Sequence, residues 1–365
     1  MKLLLVFTLL LSFFIQPVYS LAENASSAIL LNYDTNEVLY EKDAKVKKFP
    51  ASTTKIMTLI LIFEKINDGQ LKLKDNVTAS KYASSMGGSQ IYLKEGEVMS
   101  VEELLKSIIL ASANDACVAM AEYICGTSDL FVEEMNKKAK KLKLENTHFM
   151  NCTGLHDDNH YTCAYDLAKM TKYLLDIGKE TLFKYTLLKE DYIRNNEFWL
   201  VNTNKLLSKS DIITGLKTGY TKEAKYCLVS TATKNNQTLI SVILDEPKSN
   251  IRNEEALELI NYGFSLYKTH TLFKKADIID TLSLPYTKEK QIPITTNKDI
   301  NISVKKDETF DGKYKIVYFD YKEFKTGDHV GNLVYQNQEF PLYATTDATK
   351  LSYLDKMIEL FKKLI

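Results

Sequence analysis

The sequence has few prolines and glycines, a single tryptophan and no surplus of charge of either sign. Six prolines and 13 glycines among 365 residues exclude a collagen-like or low-complexity chain. Basic and acidic residues both total 47, so the formal net charge is zero and the chain lacks the basic surplus of a general nucleic-acid binder. No repeat recurs at a period of about 20–50 residues, which argues against a solenoid or propeller. The remaining composition, with 45% hydrophobic residues, is that of a globular protein of about two to three domains.

Long apolar runs are also missing, apart from one near the N-terminus. Lys2 precedes an apolar run over residues 3–15 that is too short to span a hydrocarbon core of about 30 Å. The small residues Ser20 and Ala22 fit the −3 and −1 positions of a cleavage site. We therefore expect residues 1–22 to be a secretory signal peptide, rather than a membrane anchor, and the mature protein to be exported.

Cysteine is scarce and odd in number. With five cysteines at least one thiol is unpaired, and no CxxC spacing indicates a zinc ribbon or a redox motif. In a chain long enough to build a large core, we expect them to act as small buried hydrophobic residues. They are Cys117, Cys125, Cys152, Cys163 and Cys227.

Two β-hairpin patterns enclose a block of helical patterns. Residues 27–41 alternate in hydrophobicity around a central turn, and residues 225–244 contain two β-type runs around Asn235-Asn236. Strands far apart in sequence, with helices between them, predict an α+β fold: one antiparallel sheet covered by helices, with a helical subdomain. The predicted helices lie at about 101–110, 115–125, 129–143, 165–177 (ending at Gly178) and 251–268.

The pattern changes near residue 270. Short β-type segments separated by turn residues predict a small all-β sandwich domain over residues 271–349, after a main domain over residues 23–270. Residues 350–365 return to helical spacing, with one apolar face and more lysines than acids. A basic amphipathic helix at the end of an exported chain favours a membrane interface. The alternatives are docking on the protein itself or binding of a partner.

Ser52 and Lys55 are three residues apart at the predicted start of a helix, just after Pro50. This spacing places both side chains on one face of the helix. A serine hydroxyl becomes a nucleophile when a base takes its proton. Lysine can be that base if burial or a second cation favours its neutral form. The pair is therefore a candidate for nucleophilic catalysis.

Two more motifs carry candidate functional residues. Ser112-Ala113-Asn114 lies on a short connection between predicted helices, where a loop can hold a hydroxyl and an amide beside a nucleophile. The alternative is that Ser112 or Asn114 simply caps the next helix. Lys217-Thr218-Gly219 lies on a predicted strand before the second hairpin, and Gly219 would let a substrate backbone approach closely.

Motif matching alone does not select these positions, because two of the three patterns recur. Ser-x-x-Lys also occurs at Ser265–Lys268, inside a helix pattern, and at Ser303–Lys306, on a strand pattern where side chains three apart face opposite sides. Lys-Thr-Gly recurs at Lys325–Gly327, which we expect to be a turn of the all-β domain.

Three histidines crowd a segment that also contains acidic residues, which raises the possibility of a zinc peptidase. His148, His156 and His160 are spaced by 8 and 4 residues and do not form HExxH. We expect them to have structural roles.

Taken together and in this order, the three motifs resemble those of the penicillin-binding proteins and serine β-lactamases. The segments FPASTTKIMT (49–58), ILASANDACVAMAE (109–122) and GLKTGYT (215–221) are most similar to the low-molecular-mass, serine-type D-alanyl-D-alanine carboxypeptidases. The resemblance covers roughly residues 25–350. The all-β domain and the amphipathic tail also look like those of that family, where the tail is a membrane anchor.

The resemblance implies a role for each motif residue. Ser52 matches the acylated nucleophile, Lys55 its base and Ser112 a proton relay to the leaving group. The backbone N–H groups of Ser52 and Tyr220 would form the oxyanion hole. The implied substrate-binding residues are Asn114, Lys217, Thr218, Gly219, Tyr220 and Arg252, and neither a metal nor another cofactor is implied.

The implied activity is removal of the terminal D-Ala from peptidoglycan stem peptides, in cell-wall biogenesis at the outer face of the bacterial cytoplasmic membrane. β-Lactam antibiotics would acylate Ser52. One alternative is a serine β-lactamase, against which the all-β domain and the tail argue. Another is a wall-binding or scaffold protein without catalysis, against which the three intact motifs argue.

Overall fold

The computed structural model describes residues 21–308, 310, 312–320, 323–336 and 338–364, and side chains of the last helix as far as Ile358. The predicted signal peptide, apart from Leu21 and Ala22, lies outside these residues. The helices are α1 (Lys55–Asn67), α2 (Lys81–Ser84), α3 (Val101–Lys106), α4 (Asn114–Cys125), α5 (Ser128–Lys141), α6 (Ala164–Thr186), α7 (Ser249–Leu266) and α8 (Tyr353–Leu364).

Sixteen strands lie among the described residues. In the first part of the chain they are β1 (Ser27–Asn32), β2 (Val38–Lys42), β3 (Asn76–Thr78), β4 (Val98–Ser100), β5 (Glu190–Ile193), β6 (Phe198–Val201), β7 (Ile213–Thr221), β8 (Lys225–Lys234) and β9 (Gln237–Glu246). In the second part they are β10 (Tyr267–Phe273), β11 (Ile278–Ser283), β12 (Gln291–Thr295), β13 (Ile300–Lys305), β14 (Lys315–Tyr318), β15 (His329–Tyr335) and β16 (Gln338–Ala344).

An antiparallel sheet of five strands, in the order β2-β1-β9-β8-β7, forms the centre of the first part. Both predicted hairpins are present in it. One face packs against α1, α4 and α6 through a large apolar cluster, and the other packs against α7. Because the sheet is covered on both faces, β8 and β9 are almost wholly buried. Strand β7 lies at the edge of the sheet.

Two predicted helices differ from those observed. The helix expected over 101–110 is α-helical only to Lys106 and continues as a wider π-helical turn over Ser107–Ala111. The helix expected to end at Gly178 is interrupted there, since Gly178 has a non-helical backbone, but a second helical segment continues from it to Thr186 within α6. Gly178 has φ −160°, and the two helical segments of α6 meet at a kink at this residue. A Cβ there would overlap the ring of Phe63, so glycine allows α6 to pack closely on α1.

The second part of the chain is all-β until its last helix. Its main sheet has the order β11-β12-β16-β15-β14, and β10 pairs with β13. Both sheets contribute to one separate apolar cluster. Lys325–Gly327, the second Lys-Thr-Gly sequence, is a turn in which Gly327 has φ +87°.

Another copy of the motifs that lies outside the candidate site, Ser303–Lys306, connects the two parts. Asn32 Nδ2 donates to Ser303 Oγ (2.9 Å), and the hydroxyls of Thr35 and Ser303 are 2.8 Å apart. Lys306 Nζ donates to the carbonyl oxygen of Phe264 at the end of α7 (2.6 Å). These residues therefore serve the contact between the two parts of the fold.

All five cysteines are unpaired, and all but Cys125 are buried. Burial raises the pKa of the Cys117 thiol to about 12 and that of Cys152 to about 11. They pack as small apolar residues, as expected. None of the helices in the described part of the chain has the length and apolar character needed to cross a bilayer.

Candidate active site

Ser52 lies on a short 3-10 turn, Ala51–Thr54, that leads directly into α1. Two glycines allow other segments to approach this turn. Gly154, with φ +87°, lies so close that a Cβ would overlap the carbonyl oxygen of Ala51. A Cβ on Gly219 of β7 would lie 3.0 Å from the backbone nitrogen of Ser52. The Ser52 backbone is thus packed between a loop and the edge strand.

Lys55 is fully buried beneath Ser52. Its Nζ contacts Ser52 Oγ (3.0 Å), Asn114 Oδ1 (2.7 Å) and the carbonyl oxygen of Thr153 (2.7 Å). Burial lowers the pKa of Lys55 below its ordinary value of 10.5. A neutral amine has two N–H groups and one lone pair. The two carbonyl-type oxygens accept both N–H groups, so the lone pair of neutral Lys55 faces the hydroxyl of Ser52.

Lys217, on β7, is the second buried cation of the site. Its Nζ donates to the carbonyl oxygen of Thr218 (3.2 Å). Burial lowers the pKa of Lys217 well below its ordinary value, and the positive charges of Lys55 and Arg252 lower it further. Because like charges repel, the site disfavours the state in which both lysines are protonated.

Ser112 follows the π-helical turn and has the left-handed backbone conformation, with φ 61°. Its hydroxyl is buried and has no hydrogen-bond partner among the residues that the structure describes. Asn114 begins α4, but it does not cap that helix. Its side chain accepts from Lys55 and donates to the carbonyl oxygen of Gly87 (2.7 Å). The structure therefore contradicts the capping alternative for this residue.

Thr218 lies on the edge strand β7, whereas Arg252 lies on α7, behind the sheet. Thr218 Oγ1 donates to Thr203 Oγ1 (2.8 Å). Arg252 is buried on α7 and donates to Asn253 Oδ1 (2.9 Å) and to the carbonyl oxygen of Cys227 on β8 (3.3 Å). Because Cys227 pairs with Gly219, Arg252 lies one strand behind the edge.

Tyr220 is more than half exposed, and the centre of its ring lies 4.5 Å from that of Tyr226.

Sequence reasoning missed Thr153 and Thr203 as partners of the motif residues. The pattern Asn151-x-x-Gly154 could have indicated the first, because Asn151 Oδ1 accepts from the backbone nitrogens of Thr153 (3.1 Å) and Gly154 (2.7 Å). No comparable signal marks Thr203.

The three histidines do not converge. His160 Nε2 is 2.8 Å from Thr54 Oγ1, and burial lowers the pKa of His160 to about 4. His148 Nδ1 is 2.8 Å from the carbonyl oxygen of Asn159. No group of three or more His, Cys, Asp or Glu side chains suited to a metal ion occurs in the described residues.

A serine beside a buried lysine, a buried Ser–Asn loop and a Lys-Thr-Gly edge strand define a class of acyl-serine enzymes, the penicillin-binding type. Comparison with known families is more specific. Residues 16–248 match the family described as D-alanyl-D-alanine carboxypeptidase, and residues 267–350 match the C-terminal domain of penicillin-binding protein 5. The chain belongs to this family of serine-type peptidases, and the predicted family, fold class and enzyme class are confirmed.

Individual relatives agree with this assignment. D-alanyl-D-alanine carboxypeptidase DacF of Bacillus subtilis is 43% identical over 345 residues, which cover 92% of this chain and 88% of DacF. Penicillin-binding protein 5 of Haemophilus influenzae is a structural neighbour with a TM-score of 0.80, 28% identity and coverage of 90% of this chain and 98% of its own. Penicillin-binding protein D2 of Listeria monocytogenes, solved in an ampicillin-bound form, has a TM-score of 0.62 and 28% identity, and the match covers 68% of this chain and 100% of that one.

Proposed function

We propose that this protein removes the terminal D-Ala from peptidoglycan stem peptides through an acyl-Ser52 intermediate. The observation that carries the proposal is the 3.0 Å contact between Ser52 Oγ and the fully buried amine of Lys55. Lys55 takes the hydroxyl proton while Ser52 Oγ attacks the carbonyl carbon of the penultimate D-Ala. The new bond is an ester, and the bond that breaks is the amide to the terminal D-Ala.

Ser112 completes the proton path. Its hydroxyl, which has no hydrogen-bond partner in the described part of the chain, can pass the proton from Lys55 to the nitrogen of the leaving D-Ala. The backbone N–H groups of Ser52 and Tyr220 stabilise the negative oxygen of the tetrahedral intermediate. Water then attacks the acyl carbon, and the peptide leaves as a free acid with Ser52 regenerated.

The other motif residues bind the substrate in this proposal. Lys217 and Thr218 hold the terminal carboxylate, and Asn114 contacts a substrate amide. Arg252 helps recognise the same carboxylate, because its positive charge lies one strand behind the edge, where Arg252 donates to the carbonyl oxygen of Cys227. Gly219 leaves space for the peptide backbone, since even a Cβ would crowd Ser52.

β-Lactams form a second class of acylating ligand. A penicillin mimics the terminal D-Ala-D-Ala, so its carbonyl carbon meets the same nucleophile. The ampicillin-bound form of the Listeria neighbour supports this part of the proposal.

The decisive experiment measures D-Ala release from diacetyl-L-Lys-D-Ala-D-Ala and labelling by a fluorescent penicillin. We expect the wild type to show both and Ser52→Ala to show neither. Ser265→Ala, in the exposed Ser-x-x-Lys sequence at residues 265–268, is the matched control and keeps both. Labelling of Ser52→Ala would overturn the assignment. Rapid penicillin hydrolysis without D-Ala release would indicate a β-lactamase. A folded wild type that neither releases D-Ala nor reacts with penicillin would indicate a non-catalytic protein.

We also propose that the protein is exported and lies at the outer face of the cytoplasmic membrane, with a catalytic domain (23–270), a β domain (271–349) and a membrane-associating helix (350–365). Support comes from α8, where Tyr353 and Leu354 are 82% and 67% exposed. Exposed apolar side chains beside lysines suit an interface rich in anionic lipid.

Sedimentation of the mature chain with vesicles containing anionic lipid tests the membrane proposal. Leu354→Asp combined with Ile358→Asp should abolish sedimentation, because two charges would enter the apolar face of α8. Val317→Asp is the matched control, since Val317 is also about half exposed but lies on β14. Equal sedimentation of the double variant and the wild type would refute the proposal.

A further inference from the structure

His160 is a buried histidine whose ring contacts the turn that carries Ser52, and the proposed mechanism gives it no role. Only 2% of its surface is exposed. Its Nε2 lies 2.8 Å from Oγ1 of Thr54, and Thr54 stands between Ser52 and Lys55 at the end of the 3-10 turn. A contact at this position acts on the segment that holds both reacting groups.

The second ring nitrogen determines which tautomer His160 adopts. The backbone N–H of Met150 donates to Nδ1 (3.2 Å), so Nδ1 is an acceptor. Burial lowers the pKa of His160 to about 4, so the ring is neutral in an assay near neutral pH. A neutral imidazole carries one N–H, which is therefore on Nε2 and donates to Thr54 Oγ1. His160 thus links Met150 to Thr54 in one defined tautomer.

Met150 begins the loop that gives Lys55 one of its hydrogen-bond acceptors. Three residues further on, the carbonyl oxygen of Thr153 accepts from Lys55 Nζ (2.7 Å). That hydrogen bond is one of the two that turn the lone pair of neutral Lys55 toward the hydroxyl of Ser52. The position of this loop relative to the 3-10 turn therefore sets the alignment of the base with the nucleophile.

The ring of His160 is held in place on several sides. The backbone N–H of His160 donates to the carbonyl oxygen of Asp157 (2.9 Å). The buried ring of Phe149 meets it edge-on, with 5.7 Å between the ring centres. Because both of its nitrogens are also bonded, the ring cannot turn without loss of a hydrogen bond. Such a ring transmits the position of one segment to the other.

We propose that His160 is a positioning residue for acylation: it fixes the distance between the turn of Ser52 and the loop of Thr153. It touches no substrate and takes no proton from Ser52, but it keeps Lys55 aligned to accept that proton. Its readout is the acylation of Ser52, so this role rests on the proposed function. Loss of the link should slow acylation and leave the binding of the terminal carboxylate at β7 intact.

Stopped-flow labelling with a fluorescent penicillin separates positioning from folding, because the amplitude reports the folded fraction and the rate constant reports acylation within it. His160→Asn keeps an acceptor near Nδ1 but places no donor at Nε2, and His160→Gln does the reverse. We expect each to lower the acylation rate constant about tenfold. His148→Gln is the matched control and should react like the wild type, because its ring contacts the carbonyl oxygen of Asn159 instead.

Thr54 tests the same link without a change in the histidine. Thr54→Val removes the hydroxyl and should slow acylation about tenfold, whereas Thr54→Ser keeps the hydroxyl and should keep the rate. Thr54→Val combined with His160→Asn should lose no more than either alone, because both break one hydrogen bond. In D-Ala release from diacetyl-L-Lys-D-Ala-D-Ala, kcat should fall while KM changes by less than about twofold.

Nitrogen-15 NMR of the histidine rings tests the tautomer without any substrate. We expect a signal from an Nε2–H group of His160 that is missing in His160→Asn, and a proton on Nδ1 instead would overturn the inference. Wild-type acylation by Thr54→Val, equal slowing in His148→Gln, or a lower amplitude at an unchanged rate constant would also overturn it.

Failure of the proposed function is a distinct result. The wild type would then neither be labelled at Ser52 nor release D-Ala, while the NMR signal of His160 would still report whether the link to Thr54 exists.

Discussion

At the scale of single residues, the protonation of Lys55 decides whether Ser52 can react. Acylation needs the neutral amine, and burial lowers the pKa of Lys55 below 10.5. The acylation rate constant should therefore rise with pH as Lys55 loses its proton, with a midpoint below 10.5. Stopped-flow labelling with a fluorescent penicillin across pH measures this midpoint.

The repulsion between Lys55 and Lys217 predicts how a substitution of Lys217 changes the pH dependence of acylation. When the carboxylate of the penicillin is bound, it keeps Lys217 protonated, and repulsion between two cations is reciprocal, so Lys217→Gln removes a charge that favours neutral Lys55 in the complex. The rising limb of the pH profile should move to higher pH, in addition to any loss of rate. Lys222→Gln, at an exposed cation just after β7, should leave the limb in place. An unmoved limb in Lys217→Gln would show that the two lysines are not coupled.

At the scale of elements, Gly154 is required by the approach of its loop to the 3-10 turn of Ser52. Gly154→Ala would place a methyl group on the carbonyl oxygen of Ala51, so the turn must move. We expect an unfolding free energy lower by about 3 kcal/mol and a large loss of D-Ala release. Thermal unfolding and the release assay measure the two effects.

Gly126→Ala is the matched control for Gly154→Ala. Gly126 also has a positive φ, +83°, but no atom lies within 4 Å of its Cβ position. Its cost should be limited to backbone strain of about 1–2 kcal/mol, with activity retained. Similar losses in both variants would mean that strain, rather than the contact with Ala51, explains Gly154.

At the scale of the whole molecule, Ser303 joins the all-β part to the first hairpin. Ser303→Ala leaves two buried polar groups, Asn32 Nδ2 and Thr35 Oγ1, without that partner. We expect the unfolding free energy to fall by about 1–3 kcal/mol and proteolysis near the junction to become faster. Ser265→Ala, which removes an exposed hydrogen bond to Tyr262, should change stability by less than about 0.5 kcal/mol. Equal proteolysis of the two variants would contradict this role.

Much of the organisation of the molecule follows from local sequence. Alternation predicted the first hairpin, because a half-buried strand places apolar residues at period two. Short β-type runs between turn residues predicted the second hairpin and the strands of the all-β part. The three motifs can also be read from the sequence, and their order and predicted elements separate them from the copies at Ser265–Lys268, Ser303–Lys306 and Lys325–Gly327.

Other features depend on contacts between segments that are distant in sequence, so local sequence patterns do not predict them. Gly178 interrupts a helix as expected, but its packing on Phe63 and the second helical segment that follows it to Thr186 were not predicted. Ser303–Lys306 and Ser52–Lys55 share a spacing, yet one pair joins two domains and the other surrounds a buried amine. The sequence by itself determined which residue types and elements this protein has. Only the tertiary structure decided which serine meets a desolvated lysine, because burial of Lys55 requires Asn114 and Thr153 to arrive from elsewhere in the chain.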